Sequence, residues 1–239
     1  MAAHKLSIYQ GSVRRGKFEL LYQASPSPCY VWWPTGSESV LTTFLKSPSG
    51  SGKSTLLGAL YNRLMGVDCE EEQFTLDFAP DIADLSALSS CYVPQHPPMV
   101  NHWKAQEILP ANPLFLGCFF PETRSQEVLS KYLGSFSVGQ KRKLYVCSAL
   151  EKLAVTNRKS SFLLLDEALD GQGAPEAARC LGSVVAKWKE VAPDRALHIL
   201  LVTHLNENEL QKAGPAATLL QLAVQNSTSS TLTVQMENL

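Results

Sequence analysis

The sequence lacks an excess of charge of either sign: 21 Lys and Arg residues stand against 22 Asp and Glu, and the net charge is -1. Domains that bind nucleic acid usually present a basic face to the phosphate backbone, so this balance argues against nucleic acid as a direct partner. The basic clusters are short, and we interpret them as solvated faces. They are formed by Arg14, Arg15 and Lys17 and by Lys141, Arg142 and Lys143.

The six cysteines contain no C-x-x-C pair, so neither a metal clip nor a thioredoxin-like redox motif is indicated. We expect buried thiols in a reducing compartment. No stretch approaches the roughly 18 consecutive apolar residues that suggest a membrane-spanning helix, and the N-terminal MAAHKLSIYQ has no apolar signal core. The sequence therefore predicts a cytoplasmic protein.

The composition is that of an ordinary globular protein, with 45% hydrophobic and 18% charged residues in a chain of 239. A chain of this length can bury a substantial core. We expect one compact α/β domain with a subdomain.

The strongest motif is the glycine-rich loop SPSGSGKST at 47–55, which follows a β-like run at 40–45 and precedes apolar residues at helical spacing up to Gly66. A triphosphate needs convergent backbone N–H groups, a cation and a hydroxyl for Mg²⁺. Gly50 and Gly52 allow close backbone approach, Lys53 supplies the charge and Ser54 the metal ligand at a helix N-terminus. The residues assigned to the phosphates are Ser49, Gly50, Ser51, Gly52, Lys53, Ser54 and Thr55.

An acidic pair, Asp166 and Glu167, ends the continuous apolar run at 162–165, as expected at the end of a central parallel strand. Asp166 can hold Mg²⁺ through water, and Glu167 can polarise the attacking water. The simpler alternative is a pair of solvated acids at a strand end. A second buried strand at 197–202 ends at Thr203 and His204, so the polar residues fall where ligands bind in open α/β sheets.

The remaining pattern divides the chain into segments. Short β-like runs at 6–9, 18–22 and 30–33, interrupted by Gly11 and Gly16, predict an antiparallel lobe. The Pro- and aromatic-rich middle, 95–133, predicts an irregular and helical insertion, after which Ser137 can cap a helix to about Leu153. Helical spacing after Pro175 predicts another helix, and 217–224 and 231–236 predict a terminal pair of strands.

Five motifs in order resemble those of the ABC-type ATPases: the loop at 47–55, YVPQ at 92–95, SVGQ at 137–140, LLLDEALD at 163–170 and VTH at 202–204. The resemblance spans roughly residues 5–225. It implies a P-loop NTPase fold with a mostly parallel sheet flanked by helices, an N-terminal antiparallel β lobe and a small helical insertion. We expect a catalytic core with the β lobe at about 1–94 and 155–239, and a helical subdomain carrying the signature motif at 95–154.

The same resemblance implies roles for residues beyond the phosphate loop. Gln95 would sense Mg²⁺ and the attacking water, His204 would contact the γ-phosphate, and Asp170 would lie at a dimer interface. Ser54, Gln95 and Asp166 would form the Mg²⁺ site. Ser137, Gly139 and Gln140 would act in trans, closing on ATP held by a partner chain. Tyr9 is the first candidate to stack on adenine, and Tyr22 is the second candidate.

Two departures from the family pattern bear on activity. Ser47 replaces the first glycine of the phosphate loop, and Val138 puts a branched side chain where backbone would approach a partner's γ-phosphate. They suggest an outlying subfamily or the degenerate half of a heterodimer. Because Lys53, Asp166, Glu167 and His204 are present, we still expect Mg²⁺-dependent ATP hydrolysis.

The leading hypothesis is the ATPase subunit of an ABC transporter, on the cytoplasmic face of a membrane with a second ATPase subunit and integral membrane subunits. The insertion at 95–133 could offer a docking groove for a partner's helix, or could cover its own core. The alternative is a soluble ABC-type or recombinase-like ATPase that acts on nucleic acid or a protein assembly. A P-loop kinase is disfavoured because its lid would be rich in arginine, and 95–133 holds only Arg124.

Overall fold

The computed structural model describes residues 4–15, 18–24, 29–33, 40–46, 49–67, 72–78, 88–98, 100–204, 217–224 and 230–238. The strands in these ranges are β1 (His4–Arg15), β2 (Phe18–Ala24), β3 (Cys29–Trp33), β4 (Val40–Lys46), β5 (Glu72–Phe78), β6 (Leu88–Val93), β7 (Ser160–Asp166), β8 (Ala196–Val202), β9 (Ala217–Val224) and β10 (Ser230–Asn238). The helices are α1 (Lys53–Leu64), α2 (Leu116–Phe119), α3 (Ser125–Ser130), α4 (Val138–Val155) and α5 (Ala174–Val191). Short 3₁₀ turns cover Ala105–Glu107, Leu133–Ser135 and Asp170–Gln172.

The strands form one sheet in the order β3-β1-β2-β10-β9-β4-β8-β7-β6, with β5 paired to β1. From β9 to β6 all neighbours are parallel. Every residue of β7 is buried, as is all of β8 except its first residue. A strand covered on both faces needs a continuous apolar run, which explains FLLL in β7 and confirms the predicted central strands.

The N-terminal strands are antiparallel, as predicted: β1 pairs with β2, β3 and β5 in that sense. This lobe is continuous with the parallel strands, because β10 pairs with β2 and also with β9, which pairs with β4. The predicted interruption at Gly11 was wrong. The strand runs through Gly11, and the irregularity is a register shift against β5 between Ile8 and Gly11, where a glycine accommodates a bulge.

Helices α4 and α5 supply the apolar faces that pack on the parallel strands. The buried stripe of α5 includes Ala177, Leu181, Val184 and Trp188, and these residues share one cluster with Leu163, Leu165, Ile199 and Leu201 of the sheet. Full burial of each large apolar side chain contributes about 1.5–3 kcal/mol. The described helices include none that is both long and apolar enough to cross a membrane.

The insertion consists of short helices and turns, as predicted, and polar contacts connect it to α4. The Phe115 N–H donates to Glu151 Oε1 at 2.8 Å, and the Ser148 hydroxyl donates to the Ile108 carbonyl at 2.7 Å. Glu151 is almost fully buried, and this burial raises the pKa of its carboxyl group. The contacts hold the insertion against the C-terminal half of α4, the end opposite to the SVGQ motif.

Candidate nucleotide-binding site

Four parallel strands bring the polar motifs to one edge of the sheet. The phosphate loop follows β4, Gln95 follows β6, Glu167 follows β7, and His204 follows β8. Because β4, β8, β7 and β6 are adjacent and parallel, these segments all leave the same edge. This is the edge at which open α/β sheets bind ligands.

The phosphate loop has the backbone conformation that its glycines allow. Gly50 and Gly52 have φ values of 78° and 87°, in the left-handed region that glycine adopts without steric conflict. Helix α1 begins directly afterwards and has no side-chain cap, so its N-terminal dipole faces the loop without a competing side chain. Lys53 is 5% exposed and Ser51 is 1% exposed, whereas Ser54 is exposed.

Two buried oxygens near this loop have no hydrogen-bond partner within the described part of the chain: Ser51 Oγ and Asp166 Oδ1. Leaving a buried polar atom unpaired costs about 1–3 kcal/mol, and native structures keep few such atoms. Both are hard oxygen donors or acceptors, the type of atom that phosphate and Mg²⁺ bind. The residues present therefore fit a Mg²⁺–nucleotide.

Asp166 is held among hydroxyl groups. Tyr92 donates to its Oδ2 at 3.3 Å. Burial raises the pKa of the Asp166 carboxyl group, while hydrogen bonds from Ser54 and Tyr92 act in the opposite direction. Asp166 and Ser54 therefore lie together, as their assignment to one metal site requires.

Glu167 is hydrogen-bonded at both carboxylate oxygens. Gln95 Nε2 donates to Oε2 at 2.6 Å, and His204 Nε2 lies 2.8 Å from Oε1. Because an ionised carboxylate only accepts, the proton of this second contact belongs to His204. The side chain of Glu167 is 18% exposed and that of His204 is 47% exposed. The structure thus brings together the three residues to which catalytic roles were assigned.

The backbone at Glu167 is strained. Among the described residues other than glycine, it alone has a positive φ, 50°. Such a conformation costs on the order of 1–3 kcal/mol and persists only where neighbouring contacts hold it. Its N–H donates to the Val202 carbonyl at 3.0 Å, and its own carbonyl accepts from the Asp170 N–H at 3.3 Å and from Arg142 Nη1 at 3.4 Å.

Asp170 binds the segment that carries His204. Its Oδ1 accepts from the Thr203 hydroxyl at 2.6 Å and its Oδ2 from the His204 N–H at 2.7 Å. Ligand atoms of Glu167, Asp170 and His204 lie within 4.8 Å of one another, close enough to share a cation. These contacts place Asp170 in the wall of this chain's own site, while its assignment to a dimer interface stays a prediction.

The SVGQ motif forms the N-terminus of α4, as predicted for Ser137. The Gln140 N–H donates to Ser137 Oγ at 3.2 Å, and the Ser137 N–H donates to Gln140 Oε1 at 2.9 Å, a capping box. Ser137 and Gln140 are exposed, Gly139 is half-buried, and Val138 is 57% exposed. Their action in trans stays a prediction.

The interpretation of 141–143 as a solvated face was wrong. Lys141 Nζ donates to Asn101 Oδ1 at 2.9 Å, Arg142 contacts the Glu167 carbonyl, and Lys143 Nζ donates to Glu176 Oε1 at 3.0 Å. Composition could not reveal this, because α4 crosses between the insertion and the segment after β7. The cluster at 14–17 lies outside the described side chains.

Sequence reasoning also missed Tyr92 and Thr203, although both belong to quoted motifs. The signal was their position: each lies next to the last residue of a strand, and a site residue follows that strand. The side chain of Tyr9, in β1, and the whole of Ser47 lie outside the described residues.

The fold and the site define an α/β P-loop NTPase architecture. Among solved structures, an RNase-L inhibitor is similar with a TM-score of 0.63 and 15% identity, over 100% of this chain and 41% of its own. A model of ribosome-bound archaeal Pelota and ABCE1 is similar with a TM-score of 0.59 and 15% identity, over 97% of this chain and 34% of its own. An ATP-binding cassette of an ABC transporter in its ADP conformation is similar with a TM-score of 0.55 and 15% identity, over 99% of this chain and 92% of its own.

No protein-family model and no curated protein matches the sequence. The chain spans less than half the length of the first two similar structures. The similarity is one of fold: the chain has the fold of an ABC transporter's ATP-binding cassette.

Proposed function

We propose that this chain binds and hydrolyses ATP with Mg²⁺ and that it does so as part of a dimer of ABC-type subunits. The observation that carries the proposal is the convergence of the phosphate loop, Asp166 and the Gln95–Glu167–His204 group at one sheet edge. A structural protein has no need for buried oxygens without partners and a strained acid at the same place.

Phosphate binding is assigned to the loop and the first turn of α1. The backbone N–H groups of 49–53 face the phosphates, Lys53 offsets their charge, and Thr55 contacts the α-phosphate. The Ser54 hydroxyl, the Gln95 amide oxygen and Asp166, through a water, would hold Mg²⁺, which when bound neutralises phosphate charge. Tyr9 is proposed to stack on the adenine ring.

Hydrolysis is assigned to the group around Glu167. Its carboxylate takes a proton from the attacking water, whose oxygen bonds to the γ-phosphorus as the bond to the leaving ADP oxygen breaks. Gln95 and His204 hold the two oxygens of this carboxylate and so restrict its orientation. His204 is proposed to contact the γ-phosphate, which requires its ring N–H to turn from Glu167 Oε1 to a phosphate oxygen.

Dimer formation is assigned to the exposed N-terminus of α4. Ser137, Gly139 and Gln140 would contact a nucleotide held by a partner chain, and Asp170 would lie at the interface. The exposure of Ser137 and Gln140 supports this role, since nothing in the described part of the chain covers them. The partner could be a second copy of this chain or a different subunit.

We further propose that the dimer powers an ABC transporter from the cytoplasmic face of a membrane. The similarity to a transporter's cassette over 92% of that chain supports this role. The alternative is a soluble ABC-type or recombinase-like ATPase acting on nucleic acid or a protein assembly. The higher TM-scores of the RNase-L inhibitor and of ribosome-bound ABCE1 favour it.

Substitution of Glu167 by Gln tests the ATPase proposal. We expect a loss of turnover of about 10²–10⁴-fold, because the amide cannot accept the water's proton, while ATP binding is kept. ATP should then hold a dimer that light scattering detects. Glu190→Gln is the matched control, since Glu190 is exposed on α5 and its ion-pair partner among the described residues is Lys187. Turnover of Glu167→Gln at the wild-type rate would contradict the role given to Glu167.

Co-purification from the native source distinguishes transport from the alternative. An integral membrane protein bound in stoichiometric amount is the result expected. Recovery with nucleic acid or with soluble factors alone would overturn the transporter assignment and leave the ATPase assignment in place.

A further inference from the structure

One face of α4 lies along the segment that follows β7. Gly139, Arg142 and Lys143 are spaced i, i+3 and i+4, so they share a helix face. A methyl group built on Gly139 would lie 3.9 Å from the Gly171 carbonyl oxygen, Arg142 Nη1 lies 3.4 Å from the Glu167 carbonyl oxygen, and Lys143 binds Glu176. The helix that starts with SVGQ therefore lies close to Gly171 and makes two side-chain contacts with 167–176.

The third contact is the firmest. Glu176 is hydrogen-bonded twice by Arg179 at 2.8 Å and once by Lys143, and these bonds, that of Arg179 foremost, lower the pKa of its carboxyl group to about 2. Lys143 is 12% exposed in this pair. The pair fixes α4 relative to the start of α5, and the position of Arg142, one residue earlier, is fixed with it.

Glu167 is the residue on which this support acts. Its positive φ needs contacts that hold it, and its carbonyl receives only the Asp170 N–H and Arg142 within the described residues. Loss of the contacts to its carbonyl would let the backbone relax from the positive φ, and a change in φ turns the Cα–Cβ bond and moves the carboxylate relative to Gln95 and His204. The contact of a charged guanidinium with the carbonyl resists that rotation more strongly than a neutral donor would.

Arg142 also has unused hydrogen-bonding capacity. Its Nε is buried and has no hydrogen-bond partner in the described part of the chain, and its bond to Glu167 is long. The guanidinium can therefore shorten or lengthen this contact when the first turn of α4 moves. Gly139 and Gln140 lie within one turn of it, so a ligand that contacts them acts on Arg142 through the helix.

From these contacts we propose that Arg142 is a positioning residue. It holds the Glu167 peptide group and thereby aims the carboxylate, and it connects the N-terminus of α4 to the carboxylate of the same chain. The proposal rests on the catalytic role given to Glu167.

Arg142→Met removes the guanidinium and keeps much of its apolar length. We expect kcat for ATP to fall about 10–100-fold, because a small displacement of a catalytic group has effects of that size, while KM stays within about twofold. Arg142→Lys keeps a cation and should give an intermediate kcat. Lys152→Met is the matched control, since Lys152 is exposed on the same helix. A kcat within twofold of wild type for Arg142→Met, or a parallel loss of kcat and thermal stability, would overturn the proposal.

A double-mutant cycle with Glu167→Gln tests whether Arg142 acts through Glu167. Arg142→Met should lower the residual turnover of Glu167→Gln by less than twofold, although it lowers that of wild type at least tenfold. Independent effects that multiply would contradict the proposal. A wild-type protein without ATPase activity would instead refute the proposed function, so the two failures are distinguishable.

Discussion

The two halves of the proposed nucleotide site are built in opposite ways. The phosphate half, Ser51, Lys53 and Asp166, is buried and keeps two oxygens without partners in the described part of the chain. The signature half, Ser137 to Gln140, is largely exposed, and its polar groups bind each other in a capping box. Of the two halves, only the first has buried side-chain oxygens without a partner among the described residues.

This difference separates stability from function in the two halves. Buried unpaired groups destabilise the free protein, and a bound ligand removes that cost. A substitution that removes such a group should therefore weaken ligand binding and make the free protein more stable. A capping box contributes stability by itself, so variants there should affect folding first. Under the proposed function, the signature half contacts a nucleotide only when a partner chain that holds one binds to it.

Asp166→Asn should show the largest effect. The amide has the shape of the carboxylate but no charge, so Mg²⁺-dependent ATP binding should fall by about 10–100-fold. The free protein should become more stable at pH 7, because burial raises the pKa of Asp166 and its ionised form therefore weakens the folded state. Isothermal titration with MgATP and thermal unfolding measure the two effects.

The pH dependence gives the control for Asp166→Asn. A raised pKa means that the folded state binds the proton more tightly, so the destabilisation is present above the folded-state pKa and vanishes below the ordinary value of about 4. The difference in stability between variant and wild type should shrink as pH falls toward 4. Asp194→Asn, at an exposed position, should show neither effect. A destabilised Asp166→Asn at pH 7 would contradict this account.

Val138→Gly should have an effect of intermediate size. It should raise ATP turnover, whereas most substitutions lower it. The side chain is 57% exposed at the first residue of α4, so its loss removes little packing and costs at most about 1 kcal/mol in helix propensity. If a partner's nucleotide approaches this turn, removal of the branched side chain should raise turnover several-fold.

Turnover against protein concentration is the measurement for Val138→Gly. A gain through easier dimer formation should be largest at concentrations where wild type is mostly monomeric, and it should shrink as wild type becomes dimeric. Val155→Gly, 76% exposed at the other end of α4, is the matched control and should leave turnover unchanged. A Val138→Gly protein with unchanged turnover at every concentration would show that Val138 is no barrier to closure.

Sequence patterns predicted the parts of the fold that depend on local periodicity. The apolar run of β7, the stripe of α5 and the glycine-rich turn before α1 each carry their own signal, and each was found. Strand β6, LSSCYV, carries a weak signal, with mostly half-buried residues and no clear alternation, and no strand was predicted there. Strand β5, EQFTLDF, does alternate apolar and polar residues, yet it was missed from the sequence. Strand pairing, and the bulge at Gly11, depend on partners distant in sequence.

The candidate site could be predicted as a set of residues but not as a network. Motif order indicated Gln95, Asp166, Glu167 and His204, and the parallel strands explain why they meet. The strained backbone of Glu167, the bonds from Thr203 to Asp170 and the engagement of 141–143 all arise from tertiary contacts. A basic cluster such as 141–143 has the same sequence pattern whether its side chains face solvent or make tertiary contacts. Composition alone therefore favoured a solvated face.

Ser137→Ala should have the smallest effect and tests the signature half alone. Loss of the side-chain oxygen leaves the Gln140 N–H without its cap, which should cost about 1 kcal/mol in the free energy of unfolding. For a chain of 239 residues that corresponds to a decrease in Tm of about 2–4 °C. ATP binding by the isolated subunit should be unchanged, because Ser137 is proposed to serve a partner's nucleotide and not this chain's own. Ser130→Ala, which removes an exposed hydroxyl bonded to the Glu127 carbonyl, is the control and should shift Tm less. Weaker ATP binding by monomeric Ser137→Ala would instead mean that the α4 N-terminus contributes to this chain's own phosphate site, and the separation of the two halves would be wrong.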